Sequence, residues 1–321
     1  MTLDTAGVAA APDTGSPAAG TATPWDSQTV DLGTPVHYAD FGGSGRVMVL
    51  VHGIASSHLN WMGIGPELAR DHRVFAVDLP GYGLSALGDN RATVYNSQEY
   101  LDRFIDHVAP GQRVVVFGHS MGGLVSLLQT AAQPQKVAQL MLLAPAAPFP
   151  RRAVVGPMAF PVLFALLAPK RSAALLRRGG TRLDTDRVVR EALRRISAPT
   201  STIPEDIVRA HIDLVNLQRE RYDWVERALI DSAASLARTT TRRRQYRRML
   251  MGIRTPTLLM HGTRDKLVPY KAGVWLHHQR PDWSWRPLHG LGHMAQMEDQ
   301  EMVMTTIREW QLAQLYVGAA A

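Results

Sequence analysis

Cysteine is absent from all 321 residues of the sequence. This excludes disulfide bonds, thiolate metal ligands and a cysteine nucleophile, and it is typical of a cytoplasmic protein. Long apolar runs are missing as well. The longest, Met158–Ala168, contains a proline and is about half as long as the roughly 20 residues that a membrane-spanning helix needs. The sequence therefore predicts a cytoplasmic protein without a transmembrane helix.

Lysine and arginine are absent from residues 1–24, which consist mainly of Ala, Thr, Gly and Pro. A secretory signal needs a basic start and a compact apolar stretch, and this segment has neither. Its composition predicts a disordered tail. Hydrophobic residues make up 45% of the whole chain and charged residues 20%, which is enough apolar material for a sizeable core.

Charge is unevenly distributed along the chain. Between Ala146 and Thr255 there are 22 Lys and Arg but only 10 Asp and Glu, whereas the rest of the chain is slightly acidic. This middle part also has the apolar spacing of helices. The candidates are Met158–Leu167, Thr185–Ile196, Pro204–Arg219, Trp224–Leu236 and Arg242–Met251. We therefore predict a helical domain at residues 146–251, inserted into a core of residues 25–145 and 252–321.

The flanks of this insert alternate between strand and helix patterns. A short hairpin is predicted first, at Thr29–Leu32 and Val36–Phe41. The other predicted strands are Val47–Val51, Val74–Val77, Val114–Phe117, Leu140–Leu143, Thr257–Met260 and Trp283–Leu288. Several of them are apolar runs without alternation, which is typical of strands buried on both faces. Helical segments between them predict an α/β fold with a doubly wound, mostly parallel sheet and right-handed crossovers.

A glycine-rich motif follows one of these strands directly. Gly118-His119-Ser120-Met121-Gly122 fits G-x-S-x-G and lies between the strand Val114–Phe117 and a helical segment. This strand–turn–helix setting is that of a nucleophile elbow, whose tight turn requires small neighbours. The motif predicts Ser120 as a catalytic nucleophile.

A serine nucleophile needs a base, and the base needs an acid that fixes its tautomer. His293 lies in the loop between the last strand and the last helix, where the base is expected. His289, four residues earlier, is the alternative. Asp265 follows the strand Thr257–Met260 and is the predicted acid. The loop after Leu140–Leu143 contains no carboxylate and so offers no other acid.

A tetrahedral oxyanion needs two fixed hydrogen-bond donors. One is expected from the backbone N–H of Met121, the residue after the nucleophile. The other is expected from the loop after Val47–Val51, where we assign Ile54, with Ala55 as the alternative.

Five motifs in this order resemble the α/β-hydrolase superfamily. They are Val51-His52-Gly53, the segment from Asp78 to Ser85, the motif around Ser120, Asp265, and Gly292-His293. The resemblance covers roughly residues 27–145 and 250–316. It implies that residues from about 146 to 251 form a helical cap over the site, and that Asp78 is structural. Relatives with an aspartate nucleophile, the epoxide hydrolases and haloalkane dehalogenases, are disfavoured by Ser120.

The expected function is that of a serine hydrolase of the carboxylesterase class. It would cleave the ester, or a related acyl bond, of a small apolar substrate through an acyl-enzyme intermediate. Alternatives on the same triad are a cofactor-free haloperoxidase or perhydrolase, a lactonase, a thioesterase and a carbon–carbon bond hydrolase. Trp61, Phe160 and Phe164 are candidates for the substrate pocket, and we expect neither a metal nor a cofactor.

Two other classes of function remain open at this point. A non-catalytic ligand-binding protein on the same scaffold is a remote alternative, because the triad and both glycine-rich loops are intact. Arginine clusters such as Arg242-Arg243-Arg244 suggest an anionic partner, but no nucleic-acid motif accompanies them. We therefore expect no nucleic-acid binding. Weak contact with anionic lipid is compatible with these arginines beside the apolar stretch Met158–Ala168.

Overall fold

The computed structural model describes residues 25–148 and 184–319, with side chains as far as Tyr316. The predicted tail at residues 1–24 and the predicted helix Met158–Leu167 lie outside the described residues. Within them, one eight-stranded sheet forms the centre of the molecule.

The strands follow the order β1-β2-β4-β3-β5-β6-β7-β8 across the sheet. Their bounds are β1 Asp26–Asp31, β2 Pro35–Gly42, β3 Val47–Val51, β4 Arg73–Val77, β5 Val114–His119, β6 Val137–Leu143, β7 Thr257–Gly262 and β8 Ser284–Leu288. β1 and β2 form an antiparallel hairpin, and β2 pairs antiparallel with β4. All pairs from β4 to β8 are parallel. The predicted mostly parallel sheet is confirmed.

Helices cover both faces of the sheet. Their bounds are α1 Gly65–Leu68, α2 Val94–Val108, α3 Met121–Ala132, α4 Thr185–Ile196, α5 Glu205–Arg221, α6 Val225–Thr241, α7 Arg243–Gly252, α8 Tyr270–Gln279, α9 Ala295–Glu298 and α10 Gln300–Ala319. Apolar side chains of α2, α3 and α8 pack on one face, for example Phe104, Leu124 and Leu276. Those of α1 and α10 pack on the other, for example Leu68 and Ile307. This doubly wound arrangement brings the loops at the carboxyl ends of the parallel strands to one edge, where α/β sheets place their sites.

In the sequence, helices α4–α7 come between β6 and β7, two strands that pair directly in the sheet. We call residues 146–251 the insert, of which residues 146–148 and 184–251 are described. Its ends are close together, because Leu140 N–H donates to Pro256 O at 3.0 Å and Ala144 N–H to Met260 O at 2.9 Å. Among the described helices none combines the length and apolarity needed to cross a bilayer.

Candidate active site

Ser120 lies in a sharp turn between β5 and α3. Its φ of 54° and ψ of −117° fall in a region that residues with a side chain rarely adopt. The turn is held by Ser120 N–H, which donates to Leu143 O at 3.0 Å, and by Ala146 N–H, which donates to Ser120 O at 2.9 Å. A Cβ on Gly118 would lie 2.5 Å from the Gly122 carbonyl oxygen, so the strand and the helix can approach this closely only because position 118 is glycine.

His293 and Asp265 form a buried pair at the same edge. His293 Nδ1 lies 2.7 Å from Asp265 Oδ2, and both side chains are at most 2% exposed. The second oxygen, Oδ1, accepts hydrogen bonds from the backbone N–H groups of Leu267 and Val268 at 2.8 and 2.9 Å. Burial alone would raise the pKa of Asp265, but His293 and His261 outweigh it and lower that pKa below its usual value. The carboxylate therefore stays ionised and holds the imidazole with Nε2 free. His289 is exposed, so it does not compete for this position.

His119, next to Ser120, links the turn between β5 and α3 to the loop of His293. Its Nε2–H donates to the backbone oxygen of His293 at 2.9 Å, and its Nδ1 accepts from Asn60 Nδ2 at 3.3 Å. Ser56 in turn donates to Asn60 Oδ1. Burial, together with the charge of His293, lowers the pKa of His119 to about 3. His119 is therefore neutral, and its hydrogen bonds connect Asn60, in the segment after β3, with the backbone of His293. A direct hydrogen bond between Ser120 Oγ and His293 is not among the contacts of the described part of the chain; catalytic hydrogen bonds often tighten only with substrate bound.

The loop after β3 lies directly against Ser120. A Cβ on Gly53 would be 3.2 Å from Ser120 Cβ, so a larger residue at this position would push the two segments apart by a few tenths of an ångström. His52 fixes the loop, since its Nδ1 lies 2.7 Å from Gly53 O and its Nε2 accepts from Leu79 N–H at 2.9 Å. Ile54 follows this fixed segment. Met121 is the first residue of α3, so its N–H has no partner within the helix.

His37, His58 and Asp78 are, among the described residues, the group whose side chains could hold a metal ion. All three are buried. Asp78 Oδ2 already accepts from His37 Nδ1 at 2.8 Å and from His58 Nδ1 at 2.9 Å, and Asp78 Oδ1 accepts from His58 N–H at 2.6 Å. Burial would raise the pKa of Asp78, but the two histidines hold it well below its usual range. A cation would have to displace these bonds, and we interpret the group as a hydrogen-bond network that anchors the loop after β4.

The three residues predicted for the substrate pocket lie in two different parts of the chain. Trp61 is fully buried and packs on Phe117, with ring centroids 4.8 Å apart, in the apolar layer beneath the sheet. The side chain thus packs in the core in this structure, and its role in substrate binding stays a prediction. Phe160 and Phe164 lie outside the described residues.

Glu298 is a site residue that the sequence analysis missed. Its carboxylate accepts from Gly292 N–H at 2.8 Å and from Met294 N–H at 3.0 Å, the amides on either side of His293. The available signal was an acid five residues after the base, following the mostly apolar Met294–Met297 with no basic residue nearby.

Comparisons with known proteins agree with this fold. A family model described as alpha/beta hydrolase fold matches residues 46–300. A solved structure titled as a putative lipase from Acinetobacter baumannii superposes with a TM-score of 0.72 at 22% identity, covering 93% of this chain and 94% of that one. At this identity the likeness concerns the fold alone.

Curated relatives differ in the reactions that their names state. The chain is 30% identical over 272 residues to the dihydrolipoyllysine-residue acetyltransferase component of an acetoin cleaving system from Pseudomonas putida, covering 84% of this chain but 65% of that protein. It is 26% identical over 270 residues to a 2-hydroxy-6-oxononadienedioate/2-hydroxy-6-oxononatrienedioate hydrolase from Cupriavidus pinatubonensis, covering 82% of this chain and 86% of that one.

Proposed function

Because the chain belongs to the α/β-hydrolase fold family, we propose that it is a serine hydrolase that cleaves a carboxylic ester, or a related acyl bond, of an apolar substrate. The observation that carries this proposal is the strained backbone of Ser120, at a strand–helix turn beside a buried histidine–aspartate pair. Such strain persists where the surrounding structure enforces it, and it lifts the serine hydroxyl out of the turn for attack.

In the proposed mechanism, Ser120 attacks the acyl carbonyl while His293 Nε2 takes its proton. The same histidine then donates that proton to the leaving alcohol, and a water molecule releases the acyl group by the reverse sequence. Asp265 keeps Nδ1 of His293 protonated and stabilises the imidazolium that forms. The N–H groups of Met121 and Ile54 are the proposed donors to the oxyanion. Gly53 supports that role, because it lets the loop that carries Ile54 pass close to Ser120.

The insert is the proposed cap. Its first residues are fixed to the elbow, since Ala146 N–H donates to Ser120 O and Tyr246 Oη of α7 donates to Ala146 O at 2.9 Å. Helix α6 is fastened beside α2, where Ser232 Oγ donates to Ala92 O at 2.5 Å. We propose that substrate selection lies in the insert, with Phe160 and Phe164 as pocket residues, while the chemistry lies in the flanks.

Carbon–carbon bond hydrolysis is a second candidate. It is favoured by a specific observation, namely that several curated relatives named as 2-hydroxy-6-oxononadienedioate hydrolases align over 82–84% of the chain. The same triad would serve both reactions, so the substrate has to distinguish them.

A fluorophosphonate probe tests the nucleophile. We expect the probe to label the wild type, and Ser120→Ala to remove the labelling, because only an activated serine reacts. Ser97→Ala, which changes a buried serine in α2, is the matched control and should leave labelling intact. Labelling that survives in Ser120→Ala would refute the assignment. Turnover of p-nitrophenyl esters of graded chain length, measured beside 2-hydroxy-6-oxononadienedioate, then separates the two reactions.

A further inference from the structure

The loop that carries His293 packs against both the insert and the core of the sheet. Met294 and Met297, which follow the base, are buried in an apolar cluster whose other buried members belong to the insert. Those members are Val189, Leu193, Ile207, Val208 and Ile212, on α4 and α5. The side chains that follow the base therefore pack against the insert, whereas the acid, Asp265, belongs to the core.

Glu298 joins the two units through hydrogen bonds. On the side of the base, its Oε2 accepts from Gly292 N–H and its Oε1 from Met294 N–H. On the side of the insert, Oε2 accepts from Ala198 N–H at 3.0 Å and from Ser201 Oγ at 2.5 Å. One carboxylate thus receives four hydrogen bonds, two from each unit.

The backbone of His293 itself completes the connection. Its N–H donates to Ile196 O, at the end of α4, at 2.9 Å. Gly292 touches the same segment, since a Cβ on it would lie 2.6 Å from the carbonyl carbon of Ser197. All three successive amides, from Gly292 to Met294, are therefore held either by Glu298 or by the insert.

We propose that Glu298 is a positioning residue for the base, and that it sets His293 by fixing its loop to residues 196–201 of the insert. The proposal rests on the proposed function, in which His293 is the base. If so, a shift of the insert relative to the sheet also shifts His293, and with it the geometry of proton transfer. Displacing the base by about 1 Å costs on the order of a hundredfold in rate, so a small loosening of this loop is measurable.

Glu298→Gln tests the hydrogen bonds of Glu298 without changing the size of the side chain, because glutamine has nearly the same shape. If its amide oxygen takes the three bonds of Oε2, its NH₂ group must face Met294 N–H, and two donors then repel each other. We expect kcat per titrated active site to fall roughly ten- to a hundredfold. KM should change little, since Glu298 makes no proposed contact with substrate.

Ser201→Ala tests the insert side alone. It removes one of the two bonds from the insert and leaves both bonds from the base loop in place. We expect a smaller fall in kcat, of a few-fold, in the same direction. Glu301→Gln, an exposed acid three residues further along, is the matched control and should behave as the wild type.

Counting reactive serines with the fluorophosphonate probe distinguishes positioning from folding. A purely structural role of Glu298 would lower the melting temperature and the number of labelled sites, but leave kcat per labelled site unchanged; that result would overturn the proposal. An unchanged kcat in Ser201→Ala would overturn the coupling to the insert.

A readout without turnover keeps the two proposals apart. The proton between His293 Nδ1 and Asp265 gives a low-field NMR signal that needs no substrate, and its identity is checked by its loss in Asp265→Asn. We expect Glu298→Gln to shift or broaden it, and an unperturbed signal would contradict positioning. Failure of the wild type to react with the probe would instead refute the serine-hydrolase function.

Discussion

At the scale of single residues, Asp265 shows how the surroundings assign one role to each atom. Its Oδ1 is occupied by two backbone amides, so only Oδ2 faces His293. In Asp265→Asn the amide oxygen must serve the backbone, and the NH₂ group then faces the imidazole. We expect the fold to survive and kcat to fall by about 10⁴, because His293 is forced into the wrong tautomer.

Steady-state kinetics beside a circular dichroism melt check this prediction. Asp213→Asn, at an exposed position on α5, supplies the control with the same chemical change. A fall of less than tenfold for Asp265→Asn would mean that another carboxylate orients the base.

Residue-scale prediction from the sequence depended on local context. Ser120, Asp265 and His293 were assigned because each follows a strand that the apolar pattern makes recognisable. Trp61 could not be placed in this way, since proximity to the loop after β3 does not say which face of the sheet a side chain covers. Glu298 escaped because its partners, Ala198 and Ser201, are nearly 100 positions away in the chain.

At the scale of elements, the elbow is a close contact between α3 and the loop after β3. A methyl group on Gly122 would meet the carbonyl oxygens of Val51 and His52. We expect Gly122→Ala to push this loop, and with it Ile54, away from the nucleophile. The variant should lose about 1–3 kcal/mol of stability and most of its activity.

Gly252→Ala is the matched control, because a methyl group there would meet nothing within 4 Å. This change should leave activity intact and stability equal or slightly higher. Urea unfolding and kcat/KM of both variants decide the matter, and equal behaviour of the two would refute the predicted clash.

Element prediction worked best where one pattern dominated. β3 was predicted with its bounds correct, since Val47–Val51 is apolar throughout and is buried on both faces. β6 begins three residues earlier than predicted, at Val137, because Gln139 interrupts the apolar run in the sequence while β5 still offers pairing partners to Val137 and Gln139. α4 was also predicted at its observed bounds, while α6 runs five residues beyond its predicted end, through threonines that bond back to the helix.

At the scale of the whole molecule, the free energy of unfolding should fall as the pH falls. His119 and His211 have pKa values lowered to about 3 and about 4 by burial, from an ordinary value of 6.5. Below pH 6.5 the unfolded chain therefore binds more protons than the folded one, and stability falls as the pH falls. Each such histidine costs about 1.4 kcal/mol per pH unit until its folded pKa is reached. Asp78 and Asp265, whose pKa values are lowered, act in the same direction below about pH 4.

Urea midpoints at pH 8, 6.5, 5.5 and 4.5 measure this dependence. We expect a loss that begins near pH 6.5, well above the range in which carboxylates titrate. His211→Gln should flatten the slope, whereas His289→Gln, at an exposed position, should not. A flat profile down to pH 4.5 would contradict the assignment of neutral buried histidines.

The sheet and its helices were within reach of the sequence, because strands buried on both faces and glycine-rich turns leave strong local patterns. The triad was assigned from the same patterns, and it stays a prediction. The packing of the His293 loop against the insert could not be predicted from the sequence, since it depends on contacts between segments that are distant in the chain. The expected weak contact of the arginine-rich insert with anionic lipid stays a prediction.

The strand order has a consequence for the newborn chain. From β3 onward, the strands β5, β6, β7 and β8 join one after another at the same edge, in the order in which a ribosome makes them. The elbow is complete once Leu143 and Ala146 have been synthesised, because they hold Ser120. Asp265 and His293 emerge long afterwards, with β7 and β8. On the proposed function, a nascent chain would form the turn around Ser120 early and gain the acid and the base last, so we expect an unfinished chain to be inactive.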